Sequence, residues 1–349
     1  MIQCLYSKSM ISTLSNKKIL IMKAFYKNLK VFFLICTSLL FSSCGQNQQK
    51  DLPEFPVQEF KQLVQAFPDC SFSFLPDTKL ADWKIVVSKP KKADSKKLKT
   101  KTFYWAEGKI LPKSELKQSE RYTPVFYEYP DHRCRPDTMS EEEKEELVTG
   151  GSEKARKLNP GTAMFLYDFI YDSKNQKSVK KHIKDVNFLD RQVYVHEQCQ
   201  TALERVEKKL KALQKKEPAV RDFLAHLDKV YGFYWRLIAG TKRKSFHSLG
   251  LAVDLLPFDG DKKTIFWSWT KKDLGDKWVE TEWDSRWMPP LAVIQAFEEE
   301  GFIWGGYWEV WDNMHFEYRP EFFYKQDKNE SEKLLWHYKL FNSARKFYE

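Results

Sequence analysis

Apolar periodicity divides the chain into stretches that favour different structures. In "QTALERVEKKLKALQKK", Ala202, Leu203, Val206, Leu210 and Leu213 recur at helical spacing, which predicts an amphipathic helix beginning near 188. "PPLAVIQAFEEEG" predicts another: Pro290 suits its start, Leu291, Ile294 and Phe297 share a face, and Gly301 stops it. "TMSEEEKEELVTGG" predicts a short helix capped by Ser140 and ended at Gly150 and Gly151. "WKIVVS", "KTFYWAEGKILP", "YTPVFYEYPD" and "AMFLYDFIYD" at 163–172 read as strands. The lysine-rich "KPKKADSKKLKTK" between the first two reads as a solvated hairpin loop. There is no internal repeat.

Two later strands break their own apolar pattern. "LAVDLL" alternates so that Ala252, Asp254 and Leu256 share one face, which sets a carboxylate among apolar neighbours. Burying that charge is costly unless something pairs with it. A turn at Gly250 folds His247 back beside Asp254, and imidazole and carboxylate are both good zinc ligands. A bound divalent cation would offset the cost of burying the acid. A third ligand comes from "DNMHFEY", where His315 and Glu317 share a face and Asp312 lies three residues before His315. A catalytic zinc site needs three protein ligands, an open position for water and a carboxylate to take the water's proton. His247, Asp254, His315 and Asp312 fill those places. Glu317 either orients a histidine ligand or is a surface acid, and Ser245 either bonds substrate or caps the turn. His132, His182, His196, His226 and His337 lack the pattern and read as structural or exposed.

Ser245, His247, Gly250, Ala252 and Asp254 in "SFHSLGLAVD" match the SxHxxGxAxD signature of a family that the chain resembles. These are the zinc D-alanyl-D-alanine carboxypeptidases of VanX and VanY type and the related L-alanyl-D-glutamate endopeptidases. "DNMHFEY" resembles their second motif. The resemblance implies one zinc held by His247, Asp254 and His315, with Asp312 as general base and acid. Many members carry Glu in place of Asp312, so the reach here is one methylene shorter. "YGFYWRLIAGTKRKSFHS" is similar to the segment that carries the family's arginine, which implies that Arg236 faces the scissile carbonyl and stabilises its oxyanion. The implied fold is α+β, of the hedgehog/DD-peptidase kind. A small antiparallel sheet carries the zinc site, with helices near 200–230 and 290–300. The implied substrates are peptidoglycan stem peptides, cut at a D-alanine or other D-residue. The rival expectation is a zinc-containing cell-wall-binding lipoprotein that has lost catalysis. Between the motifs, the tryptophan-rich 258–290 reads either as a packed excursion over the sheet or as a wall over the groove.

The resemblance covers about 185–325, and the expected division is an accessory region of unreadable function at 58–180, mixed and partly β, followed by a peptidase domain at 181–349. The formal charge of +10 on 349 residues raises nucleic acid as a partner. Residues 1–43, however, carry six lysines and no acid, and without them 52 basic residues face 48 acidic ones. No nucleic acid or protein partner is therefore expected. Lys23, Lys27 and Lys30 precede the apolar "VFFLICTSLLF", too short for an ordinary span, and then "LLFSSCG". This resembles the lipobox of bacterial lipoproteins, with Phe41 where Leu is usual. It implies a signal peptide at 1–43, a lipid on Cys44, a tether at 45–57, and a body outside the cytoplasm on a membrane anchor. Met1 or Met22 can be the start. Cys70, Cys134 and Cys199 then remain in an oxidising compartment, as one disulfide in any of three pairings plus a thiol, or as buried free thiols.

Overall fold

The computed structural model describes residues 51–91, 96–127, 129, 138–258 and 264–323. The signal sequence, Cys44, tether residues 45–50, His132, Cys134 and His337 lie outside the described residues.

Helix α1 (Val57–Ala66) opens the described chain and buries Phe60 and Leu63. It covers an antiparallel sheet in which β1 (Ser71–Asp77) and β3 (Leu98–Tyr104) flank β2 (Asp82–Pro90). The alternation of Phe72 and Phe74 with polar neighbours turns the two rings toward α1, where Phe74 stacks on Phe60 at 3.7 Å. Pro90 pairs with Leu98, so the two ends of the lysine-rich stretch lie in β2 and β3 rather than in a solvated loop, and Lys89 is buried with its Nζ 2.6 Å from Asp172. Of the described residues of "YTPVFYEYPD", only Tyr122–Thr123 is strand, as β4, parallel to β5 (Gly161–Thr162). The acidic stretch is helix α2 (Glu141–Gly150), closed by a capping box between Ser140 and Glu143. Helix α3 (Glu153–Leu158) follows.

The stretch at 163–172 is not a strand. Phe165–Ile170 forms helix α4, with Leu166, Tyr167, Phe169 and Ile170 all buried. A short apolar run buried on every side carries no clear period, and the spacing of 166, 169 and 170 fits a helix face equally well. After α5 (Gln176–Val179) the chain makes a second correction. Residues near 188 belong to a hairpin of β6 (Ile183–Phe188) and β7 (Arg191–His196), with Val193 and Val195 alternately buried. The amphipathic helix α6 starts only at Glu197 and runs to Leu213, with the His196 ring capping its N-terminus. It buries Ala202, Leu203, Val206 and Leu210 and leaves Leu213 half-covered.

Helix α7 (Pro218–Ala225) leads into a four-stranded sheet. That sheet is antiparallel, in the order β10 (Phe302–Trp304), β11 (His315–Tyr318), β9 (Ala252–Pro257) and β8 (Leu227–Tyr231). Within the excursion after β9 lies α8 (Trp267–Leu274), and after it α9 (Leu291–Glu298) backs the sheet. Phe297 stacks on Phe316 of β11 at 4.1 Å and meets Phe302 of β10 edge-on. Leu291 does not share that buried face. It is 46 % exposed, and Val293, Ile294, Ala296 and Phe297 form the inward stripe instead. The architecture is thus mixed α+β, with small antiparallel sheets flanked by helices. One core continues from Phe60 and Leu63 through Tyr167 and Phe246 to Phe297 and Phe316, so the N-terminal region is packed into the body of the protein. Cys70 and Cys199 are free thiols. Cys199 is buried at the start of α6, with its Sγ donating to His196 O and Gly250 O, and burial pushes its pKa up to about 12. No described helix is long and apolar enough to cross a membrane.

Candidate metal centre

Register brings two of the singled-out residues together. Across the β9–β11 ladder Asp254 pairs directly with His315, and Ala252 pairs with Glu317. Directly opposed residues of an antiparallel pair point to the same face, so the carboxylate and the imidazole meet there. His247 arrives by a different route. The chain leaves Ser245 into a 3-10 turn (Phe246–Leu249), which the Ser245 hydroxyl caps by accepting the His247 N–H at 3.3 Å. Gly250 ends the turn at φ +71°, the left-handed region that glycine enters without strain. A Cβ there would stand 2.5 Å from Ile183 Cδ1 and 2.8 Å from His196 N. Gly250→Ala is therefore expected to cost about 2–4 kcal/mol in folding free energy, strain and overpacking combined, measured by denaturant unfolding.

His247 Nε2 lies 3.0 Å from Asp254 Oδ1 and 3.2 Å from His315 Nδ1, and the last two atoms are 2.7 Å apart. All three side chains are buried and form a group able to hold a metal ion. The outer nitrogens explain why an ion fits. His247 Nδ1 lies 2.7 Å from the Gly232 carbonyl, and His315 Nε2 lies 3.0 Å from Glu317 Oε1. Both partners are acceptors, so each outer nitrogen carries the proton and donates it. The inner nitrogens then present lone pairs to each other and to the Asp254 carboxylate. Three lone pairs facing one another are repulsive unless a cation sits among them. Their separations approach the roughly 3.3 Å between ligands of a tetrahedral zinc with bonds of 2.0–2.1 Å. Burial alone would raise the Asp254 carboxyl, but the charge and hydrogen bonds of the two imidazoles outweigh it and hold the group far below the ordinary carboxylate range.

Asp312 stands beside this group. Its N–H donates to Gly305 O at 3.0 Å and its carbonyl accepts the His315 N–H at 3.1 Å, which ties its loop to β11. One carboxylate oxygen, Oδ1, is covered and has no hydrogen-bond partner among the described residues. Burial pushes the Asp312 carboxyl up to about 7, with the Asp254 charge acting in the same direction and His315 and Arg236 opposing it. Arg236 is exposed and lines, with His247 and Asp254, a cavity of about 610 Å³ between β7 and β8. Its backbone is stitched to the ligand turn, since Arg236 N–H donates to Ser248 Oγ at 2.9 Å and that hydroxyl donates back to Arg236 O at 2.6 Å.

The tryptophan-rich excursion has a role that its composition does not announce. Trp267 N–H donates to Trp311 O, Asn313 N–H donates to Ile265 O, and Asn313 Nδ2 reaches Trp287 O at 2.7 Å. Trp267, Trp278 and Val279 pack with Trp311 in a small core of their own. The excursion thus clamps the loop that carries Asp312. Glu317 is buried, not a surface acid. Among the described histidines outside the centre, His196 is buried and pushed down to about 4, while His182 pairs with Glu197 at 2.8 Å. Sequence reasoning missed Gly232, Asn313 and a buried chain from Arg319 to Glu321. Only the last left a trace, as charges at alternate positions of the otherwise apolar "HFEYRPE".

Residues 239–318 match the family model of D-alanyl-D-alanine carboxypeptidase. The match spans His247, Asp254, Asp312, His315 and Glu317 and begins just after Arg236. Residues 59–127 match the model of a domain of unknown function. No curated protein and no solved structure matches the chain. The segment that builds the centre is therefore similar to a peptidase.

Proposed function

We propose that the protein is a zinc peptidase that hydrolyses peptide bonds in peptidoglycan stem peptides, at a D-alanine or another D-residue. The observation that carries this reading is the convergence of His247 Nε2, Asp254 Oδ1 and His315 Nδ1 within 2.7–3.2 Å, with both outer nitrogens engaged by acceptors. Zinc held by these three atoms would polarise a peptide carbonyl and lower the pKa of a water. Asp312, with an oxygen free of partners among the described residues, takes the proton of the attacking water and returns it to the leaving amine. Arg236, which cannot lose its charge, faces the oxyanion of the tetrahedral intermediate from the cavity wall. Glu317 fixes the tautomer of His315, as the Gly232 carbonyl does for His247. The N-terminal pattern ending at Cys44 supports a lipid-anchored location outside the cytoplasm, where such peptides are found.

The pH profile tests the base. Asp312 must be ionised to accept a proton, so kcat/KM falls as pH drops through its pKa. Burial sets that pKa near 7, and the charge of a bound zinc lowers it further. D-alanine release from a peptide ending in D-Ala-D-Ala is expected to show an acid limb at or below about pH 7. A rate that rises on acidification through the same range would rule out Asp312 as the base.

A further inference from the structure

The outer nitrogen of His315 begins a buried chain of charge that leaves the centre and ends in the N-terminal half of the protein. His315 Nε2 donates to Glu317 Oε1 at 3.0 Å, and Glu317 Oε2 lies 3.6 Å from Arg319 Nη1. Arg319 is 1 % exposed and spends its other donors on Glu321 Oε1 at 2.5 Å and on the Val125 carbonyl at 2.9 Å. Its guanidinium lies 4.6–5.2 Å from the ring centres of Phe322, Phe246 and Tyr167. Phe246 immediately precedes His247, so Arg319 touches the elements that bear both histidines. The chain closes at Tyr167, whose hydroxyl donates to Glu321 Oε1 at 2.6 Å. Glu321 Oε2 is buried and has no hydrogen-bond partner among the described residues, which hold this carboxylate through the oxygen that Tyr167 and Arg319 share.

An arginine between two buried carboxylates is not explained by stability alone. Buried ion pairs contribute little net stability compared with apolar residues of the same volume. They do fix geometry, and a rigid planar fork fixes it better than a flexible ammonium. A carboxylate held still behind a ligating imidazole sets the ring's orientation and raises its basicity toward a cation. We propose that Arg319 is a positioning residue for the His315 ring, and that Val125 and Tyr167 make the N-terminal half of the chain part of the metal centre. Val125 lies in the segment that matches a domain of unknown function, which gives that segment one definite task.

The proposal rests on the metal reading of the preceding subsection, and zinc affinity of the full chain, measured by competition with a chromophoric chelator, separates the two. Glu317→Gln is expected to weaken zinc binding about 10–100-fold. Tyr167→Phe removes one hydroxyl remote from the metal and is expected to weaken it at least about threefold, because Glu321 loses the Tyr167 donor. The double variant is expected to bind no more weakly than Glu317→Gln alone, since both changes act along one line. Unfolding of the metal-free proteins, measured in parallel, identifies a folding defect; if Tyr167→Phe has one, Glu321→Gln replaces it under the same criteria. A smaller loss than threefold, or losses that multiply in the double variant, overturns the positioning role while leaving the zinc reading intact. Wild-type protein that binds no zinc overturns both.

Discussion

Asp312→Asn is expected to keep zinc bound at wild-type stoichiometry while turnover falls about 10²–10⁴-fold, the usual contribution of a positioned general base. The side chain is nearly isosteric, and Asp312 is not one of the three atoms that converge at 2.7–3.2 Å. The amide cannot accept the water's proton, so only binding and electrostatic stabilisation remain. A second effect has the opposite sign. The Asp312 carboxyl is pushed from 3.8 up to about 7, chiefly by burial. A raised carboxyl contributes fully to folding below its unfolded pKa, and that contribution is lost as pH rises toward the folded one. Above about pH 7 the metal-free fold therefore holds a carboxylate at a cost, and Asp312→Asn removes it. The metal-free variant is expected to be more stable than wild type at mildly alkaline pH by on the order of 1–3 kcal/mol. Unfolding in the presence of chelator measures this, and near wild-type turnover in the variant would refute the assignment of the base.

His315→Ala is expected to remove both metal and activity. Zinc bound by four ligands gains about 10–16 kcal/mol, so one of three protein ligands is worth on the order of 3 kcal/mol, roughly 10²–10³ in affinity. The loss extends past the ligand itself, because Glu317 then keeps a buried carboxylate without its imidazole donor. Metal content after gel filtration and chelator competition both report it. Retained stoichiometric zinc in His315→Ala would exclude His315 from the ligand set.

Asp254, His315 and Glu317 are legible in the sequence because each is a polar residue that violates a local apolar pattern, whereas His247 and Asp312 are read from their spacing to those residues. Asp254 stands in "LAVDLL", and His315 and Glu317 alternate with Phe316 and Tyr318. Cross-strand pairing then places Asp254 opposite His315, which short-range pattern cannot reveal, although it requires that the two find a shared partner. The parts that stay hidden depend on contacts between distant segments or on backbone atoms. The acceptor for His247 is the carbonyl of Gly232, and every residue has a carbonyl. Arg319 and Glu321 make sense only once Tyr167 and Val125 are seen against them. In the fold, α2 is readable because Ser140 and Glu143 form a local capping box, and α9 because Pro290 and Gly301 bracket it. Phe165–Ile170 is not, since burial on all sides removes the polar half of the pattern that tells helix from strand. The strands at 183–196 merge with the expected helix because α6 follows β7 without a loop, its N-terminus capped by the last strand residue, His196.

The central claim is that this His–Asp–His centre, served by Asp312, cuts peptide bonds of the cell wall. Incubating purified muropeptides with the zinc-loaded protein and weighing the products tests it most directly. The expected result is a mass change matching hydrolysis next to a D-residue, abolished by chelator, restored by zinc and absent with Asp312→Asn. Unchanged muropeptide masses from a protein that holds one zinc per chain would contradict it and leave a metal-binding protein without peptidase activity.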